Sequence, residues 1–364
     1  MGRIIYTDDP QREIWSLLGL FESSKFVHDK LKQTFPSMSE DDLQIRTDGI
    51  TYSVRQAREF FSSSDQVSLL TRPLQLSYGM LNLGKALVYY KSPDNISFEN
   101  YFKSHGLHFV GSSSMQSLAN EYIEIKESGT YPTISPFLSQ RAYPNKSVNL
   151  KELLSQIPDL FDMFTLVYKE VPNIMPLKAS KLGYSVGGSN EYLSQIKEKM
   201  QGIETYLGEN KVGMSVFCGS TGFSIHFMPP FMPPPAKTLK ELDLSLASVS
   251  GVEYFRIFPI VDLQPLILKE ASIHYMLIFS YGMLARYQAA RWGKYIDPNY
   301  SNEAEIINKS IFICKMRYLQ LLAGYLFETE FQFSDSIEIP ENEIVDKISE
   351  VIKRILPDEL KKYL

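Results

Sequence analysis

Apolar residues return at helical spacing over residues 11–35, where Ile14, Leu17, Leu18, Phe21, Val27 and Leu31 fall on one side. A polar stretch with Pro36, Ser37 and Ser39 follows. Residues 53–63 predict a short helix with Val54, Ala57 and Phe61 on one face. Arg72-Pro73 opens the most apolar helix of the first half, since proline at a first turn forfeits no hydrogen bond; Ser92-Pro93-Asp94 ends it. Residues 111–150, rich in Ser, Pro and Tyr and weakly periodic, predict loop with short helices. Helical spacing resumes from Leu150 to Tyr168 through Leu153, Leu154, Ile157, Phe161 and Phe164.

The signal changes between about 180 and 262. Val212–Cys218, Phe223–Met228 and Glu253–Ile260 are short β-prone runs, and Gly219-Ser220-Thr221-Gly222 stands between the first two as a hairpin loop would. Met228-Pro229-Pro230-Phe231-Met232-Pro233-Pro234-Pro235 is neither helix nor central strand. It reads as a stiff connector in preference to a polyproline ligand. Helix returns from Pro265-Leu266 to about Ala290 and again over Ile306–Phe327. Residues 343–356 form an amphipathic helix that needs a docking surface, with Ile344, Val345, Ile348, Val351, Ile352 and Ile355 on one face. The expected architecture is mainly α, a helical bundle with a small β-containing insert around residues 180–262. It divides into an N-terminal helical region (1–175), a small α/β insert with the Pro-rich connector (176–262), and a C-terminal helical region (263–364) packing on the first.

Composition narrows the chemistry. The 364 residues are 44% hydrophobic and 22% charged, which is globular rather than disordered usage. A net charge of −5 removes the global basic field of many nucleic-acid binders but leaves room for a local basic groove. Cys218 and Cys314 are the only cysteines, so a disulfide framework or a cysteine-based zinc site is not expected, and the compartment is read as reducing. The first ten residues lack the apolar run of a signal peptide, and Tyr6 stands where a myristoylation signal has Ser or Thr. Leu74 to Tyr90, the longest apolar stretch, contains Asn82 and Lys85 and falls short of a membrane span. These features predict a cytoplasmic protein without membrane attachment.

Two helices carry polar residues in unusual places. In the first, Gln75, Tyr78, Asn82, Lys85 and Tyr89 form one stripe on a helix otherwise built of Leu, Met and Val. An amide and an ammonium in such surroundings need partners or water. The stripe reads either as a pocket wall or anion site around Lys85, or as an exposed edge or structural hydrogen-bond network. In the second, Tyr275, Phe279, Gly282 and Arg286 share a face, and Gly282 leaves room for a close approach beside the arginine. Arg286 and Arg291 could pair on a phosphate with Trp292 as a stacking surface. Alternatively, an arginine near a helix end meets the last carbonyls and an acidic partner. Ser77-Tyr78-Gly79-Met80-Leu81 recurs as Ser280-Tyr281-Gly282-Met283-Leu284, so the two helices are expected to pack on each other, with Lys85 and Arg286 lining one polar cleft.

Among the histidines, His105 and His108 stand three apart, but no acidic ligand accompanies them at metal-binding spacing; neither metal nor cofactor is expected. Phosphate-loop, dinucleotide, zinc-protease and serine-hydrolase motifs are absent from the sequence.

Ala57-Arg58-Glu59-Phe60-Phe61 and the run from Leu70 to Ala86 (LTRPLQLSYGMLNLGKA) resemble the front block of the YaaC-like proteins. His105-Gly106-Leu107 is similar to the short element that follows it there, and Met283-Leu284-Ala285-Arg286-Tyr287 with Trp292 to the second block. The resemblance implies a bacterial, helical protein similar in character to HEPN domains, many of which are ribonucleases or toxins in antiviral defence. Those use an Arg followed within a few residues by His. Here Arg286 is followed by Tyr287, Gln288, Ala289, Ala290, Arg291 and Trp292, with no histidine. Three readings stay open. The first is a non-catalytic binding or regulatory module for a nucleotide, RNA or protein partner, with Tyr78, Asn82, Lys85, Arg286, Arg291 and Trp292 as ligand-binding residues. The second is a ribonuclease that draws His105 to Arg286 as catalytic residues. The third is a structural subunit docking a protein partner or a second copy of itself.

Overall fold

Asp9 begins the helical part of the chain by accepting the Arg12 N–H at 3.0 Å, and Pro10 starts α1 (Pro10–Leu18) where its missing N–H costs nothing. A 3-10 turn, Gly19–Glu22, ends it. Extended Ser23 then caps α2 (Ser24–Thr34) through the Phe26 N–H at 3.4 Å, so the single periodic run expected over 11–35 is two helices. The computed structural model describes residues 3–92, 98, 102–111, 117–138, 143–180, 183–188, 193–195, 213–218, 220, 223–228, 244–249, 251–257, 260–261, 264–265 and 267–334.

The short helix expected over 53–63 is much longer. α3 runs Glu40–Gln66, capped by the Ser39 hydroxyl, with Glu40, Asp41 and Asp42 complementing the positive end of the helix dipole. Its first half hid from hydrophobic patterning because the buried face carries Arg46, Thr47 and Thr51 alongside Leu43 and Ile50. The buried Arg46 guanidinium donates to the carbonyl oxygens of Ser92 at 2.7 Å and Tyr89 at 3.2 Å, satisfying the end of α4 (Arg72–Lys91). Arg72 does the same for α3, donating to the carbonyls of Ser64 and Val67.

Residues 107–149, expected as loop with short helices, also hold an antiparallel sheet: β2 (Leu107–Val110), β3 (Tyr122–Ile125) and β4 (Ser147–Asn149). Leu107, Phe109, Ile123 and Ile125 face inward from strands too short to show period-two patterning. α5 (Thr130–Ile134) lies between β3 and β4. The helix expected over 150–168 is interrupted at Pro158, whose ring would clash with the helix carbonyl before it, leaving α6 (Leu150–Leu154) and α7 (Phe161–Tyr168).

The β-rich stretch begins at Ile174. β5 (Ile174–Ser180), β6 (Gly183–Gly188), β7 (Gly213–Cys218), β8 (Phe223–Met228), β9 (Ser245–Ala247) and β10 (Glu253–Arg256) form one antiparallel sheet in the order β7-β8-β6-β5-β10-β9. β7 and β8 make the expected hairpin, with Cys218 opposite Phe223. β11 (Ile260–Val261) and β12 (Gln264–Pro265) are a small separate pair. The Pro-rich run after Met228 and the amphipathic segment 343–356 lie outside the described residues.

α8 (Glu270–Tyr287) is buried on nearly every side from Ala271 to Gly282, packed among α4, α9 (Ala289–Tyr295) and α10 (Ala304–Phe327). The Tyr318 hydroxyl of α10 donates to the Met80 carbonyl of α4 at 3.1 Å, and an ion pair joins Lys315 to Asp65 of α3. β13 (Phe331–Ser334) closes the described chain, parallel to β1 (Arg3–Tyr6). The protein is therefore mainly α with small β elements, and among the described residues no helix is long and apolar enough to cross a membrane.

Candidate functional site

The two helices that share the SYGML sequence pack directly on each other. Their glycines do different work. A Cβ at Gly282 would stand 3.0 Å from Ser77 Oγ and 3.4 Å from the Pro73 carbonyl, so the absent side chain lets α8 lie close on the start of α4. A Cβ at Gly79 would instead meet the Phe61 ring at 2.6 Å, on α3. Beside the Gly282 contact the two helices line a cleft, a small open recess of about 20 Å³. All of Tyr275, Phe279, Gly282 and Arg286 line it, facing Tyr78 and His105. Leu74, Leu81 and Met283 supply apolar wall.

His105 comes from neither helix. Its place is set by Gly106, whose φ of +71° is a left-handed conformation that turns the chain into β2. A side chain at Gly106 would overlap Pro132 and stand 3.0 Å from the Ser128 carbonyl. That close approach is pinned by backbone bonds from Thr130 N–H to Ser104 O at 2.8 Å, Tyr131 N–H to His105 O at 2.9 Å and Lys126 N–H to Gly106 O at 3.0 Å. The imidazole is thereby held 5.2 Å from the Phe279 ring, centroid to centroid. The His-Gly-Leu element is thus a positioning device: histidine toward the cleft, glycine for the turn, Leu107 into the core.

Arg286 is exposed at the mouth and donates to the Tyr78 hydroxyl at 2.9 Å. Lys85 stands one helical turn beyond Leu81, with its ammonium 5.4 Å from the Phe102 ring centroid. Burial holds the Lys85 pKa below the usual ammonium value. Burial, then the charge of Arg286, then that of Lys85, hold His105 below the usual imidazole value. Among the described residues neither Lys85 nor Arg286 is paired with a carboxylate, and none lines the cleft. Arg286 and a neutral imidazole thus share a partly apolar recess that can accept an anion or a proton, whereas Lys85, expected to line the same cleft, stands outside its lining and reaches His105 only through its charge.

The other candidates are placed elsewhere. Asn82 is buried within α4 and does not line the cleft. Tyr89, on the same stripe, packs against Gly49 of α3 and the Phe98 ring. Arg291 forms an ion pair with the fully buried Glu121 and donates to Gln288 Oε1 at 2.9 Å. Trp292 is completely buried, with its indole N–H donating to the Leu69 carbonyl at 3.0 Å. Neither lines the cleft, so the expected Arg286–Arg291 pair with a stacking Trp292 does not assemble there. His108 points away from His105, toward Glu124 at 3.3 Å. Among the described residues no cluster of three or more His, Cys, Asp or Glu side chains could hold a metal ion.

One constellation escaped the sequence reading. His274 Nδ1 lies 3.2 Å from Cys314 Sγ and His274 Nε2 3.4 Å from Glu270, which also accepts from Arg317 at 2.7 and 2.9 Å. Thiol, imidazole and carboxylate stand in the order of a nucleophilic triad. The thiol, however, has no exposure, and burial pushes its pKa up, so it is a core side chain rather than a nucleophile. Glu270 and His274 do fall four apart on α8, but their partners on α10 are distant in sequence.

No curated protein and no solved structure matches the chain. The family model of the YaaC-like proteins matches residues 19–326, which include α4, the His-Gly-Leu turn and α8 and therefore every residue of the cleft. By that match, across most of its length, the chain belongs to the YaaC-like protein family.

Proposed function

We propose that this protein is a binding or regulatory module whose α4–α8 cleft holds the phosphate of a nucleotide or an RNA. The observation behind this reading is the meeting of His105 and Arg286 in one recess, with Lys85 outside its lining but close enough for its charge to act on the imidazole, where among the described residues no carboxylate lines the recess. Cations held together in a partly dry site repel, and an anion relieves both the repulsion and the desolvation of Lys85. A phosphate group also offers several acceptor oxygens for the guanidinium and the Tyr78 hydroxyl. Isothermal titration with inorganic phosphate and with a 5′-phosphorylated oligoribonucleotide tests the reading. Lys85→Ala and Arg286→Ala, each removing a positive charge that acts on the ligand, are expected to weaken binding roughly tenfold or more. Absence of binding to folded wild-type protein rejects the reading.

A second reading, an unconventional ribonuclease, draws on the placement of His105 beside Arg286. An imidazole kept neutral by burial and adjacent cations can accept a proton from a ribose hydroxyl while Arg286 stabilises the phosphoryl charge. Wild-type protein that cleaves single-stranded RNA, with His105→Ala and Arg286→Ala each inactive, would install this reading above the first. Cleavage no faster than that of the double variant leaves binding as the function.

A further inference from the structure

The phosphate-binding reading uses Lys85 and Arg286 as permanent charges and leaves the role of the buried imidazole open. We propose that His105 is an anion ligand of the cleft beside Arg286 and makes it prefer a dianionic tetrahedral group, such as a terminal phosphate, to a monoanionic one, such as an internal phosphodiester. This inference rests on the phosphate-binding reading and goes further, to the class of phosphate.

The geometry supplies the argument. His105 sits between α4 and α8, its ring tilted 60° to that of Phe279 and its backbone held by the bond from Tyr131. The titratable or charged groups packed around it are Tyr78 and Lys85 from α4, Tyr275 and Arg286 from α8, and Tyr131 from α5, with exposed Lys103 on its own segment. None of these is an acid that could stabilise an imidazolium, whereas Lys85 and Arg286 both oppose one. In the empty cleft His105 is therefore neutral near pH 7. A bound monoanion offsets only one of the two cations, and the imidazole still faces a net positive charge. A dianion offsets both and lies close to the ring, so protonation becomes favourable and adds a charged hydrogen bond to the ligand.

Proton uptake and ligand charge are thereby linked. A ligand that raises the His105 pKa by one unit gains roughly tenfold in affinity at a pH below both values, and nothing at a pH above both. The sign follows from the direction of the change: affinity for a dianion rises as pH falls through the pKa of the complex and levels off below that of the free protein.

Sulfate and methyl sulfate make the test, because both are tetrahedral and keep charges of minus two and minus one throughout the neutral range. Isothermal titration at pH 7 in two buffers of different ionisation enthalpy reads the protons taken up. The expected result is sulfate binding with proton uptake, methyl sulfate binding more weakly with little uptake, and in His105→Asn a loss of the proton uptake with a narrower gap in affinity. The proton count comes from wild-type protein alone, so the test survives if the variant folds poorly. Equal affinity for the two anions, or sulfate binding without proton uptake, overturns the role of His105 while the phosphate-binding cleft stands. If folded wild-type protein binds neither these anions nor the 5′-phosphorylated oligoribonucleotide, the cleft reading and the inference fall together.

Discussion

Replacing Gly106 by alanine tests whether the His105 turn is built as the structure shows. Two costs are expected. The first is conformational: an L-residue at a φ of +71° loses roughly 1–2 kcal/mol, offset by about 0.4–1 kcal/mol because alanine is less free than glycine in the unfolded chain. The second is steric. The new methyl would overlap Pro132 and press on the Ser128 carbonyl at 3.0 Å, and relieving such overpacking costs typically about 1–3 kcal/mol. Gly251 separates the two, because it too has a positive φ, +84°, but a Cβ there meets nothing within 4 Å. Gly251→Ala is therefore expected to cost about 1 kcal/mol or less, and Gly106→Ala roughly 2–4 kcal/mol. Urea unfolding followed by circular dichroism reads both, and hydrogen exchange at Thr130 and Tyr131 reports whether the local bonds open first. If the two variants agree within about 0.5 kcal/mol, the close contact with Pro132 does not hold the turn, and the account of how His105 reaches the cleft fails.

Two further outcomes follow from buried polar groups outside the cleft. Burial would raise the Glu270 pKa, but Arg317 and His274 outweigh it and hold the carboxyl at about 2. Glu270→Ala strands a buried guanidinium and is expected to cost about 3–5 kcal/mol. In wild type the stabilisation from Glu270 is fully present above its ordinary value of 4.5 and is lost as pH falls through about 2; acid titrations of wild type and variant that run parallel below pH 4.5 would contradict this. Trp292→Phe removes the indole bond to Leu69 and leaves that carbonyl without this donor, an expected loss of about 1–3 kcal/mol with unchanged affinity for inorganic phosphate. Loss of phosphate affinity in a normally folded Trp292→Phe protein would return Trp292 to the binding site.

Much of the helical frame was legible because helix formation is local. Pro73 at a first turn, the apolar run to Lys91, and the stripe of Tyr275, Phe279, Gly282 and Arg286 follow from spacing alone, and that whole stripe lines the cleft. The repeated SYGML helices did prove to be packing partners. Elements whose burial is polar or whose length is small were not legible. α3 conceals its first half behind Arg46, Thr47 and Thr51, and the strands β2 to β4 acquire an inner face only by pairing across long stretches of chain. The candidate site divides the same way. Sequence spacing put Tyr78 and Lys85 on one helix stripe and Arg286 on another, because periodicity reports which residues share a face. It could not tell that Arg291 would be matched by Glu121, or that Trp292 would lie in the core. Nor could it place His105, which enters through a glycine turn anchored on residues 128–132. Local propensity thus determined the helices and the faces they present, whereas partner, burial and charge balance belong to pairs of residues far apart in the chain and were decided only when the tertiary structure brought them together.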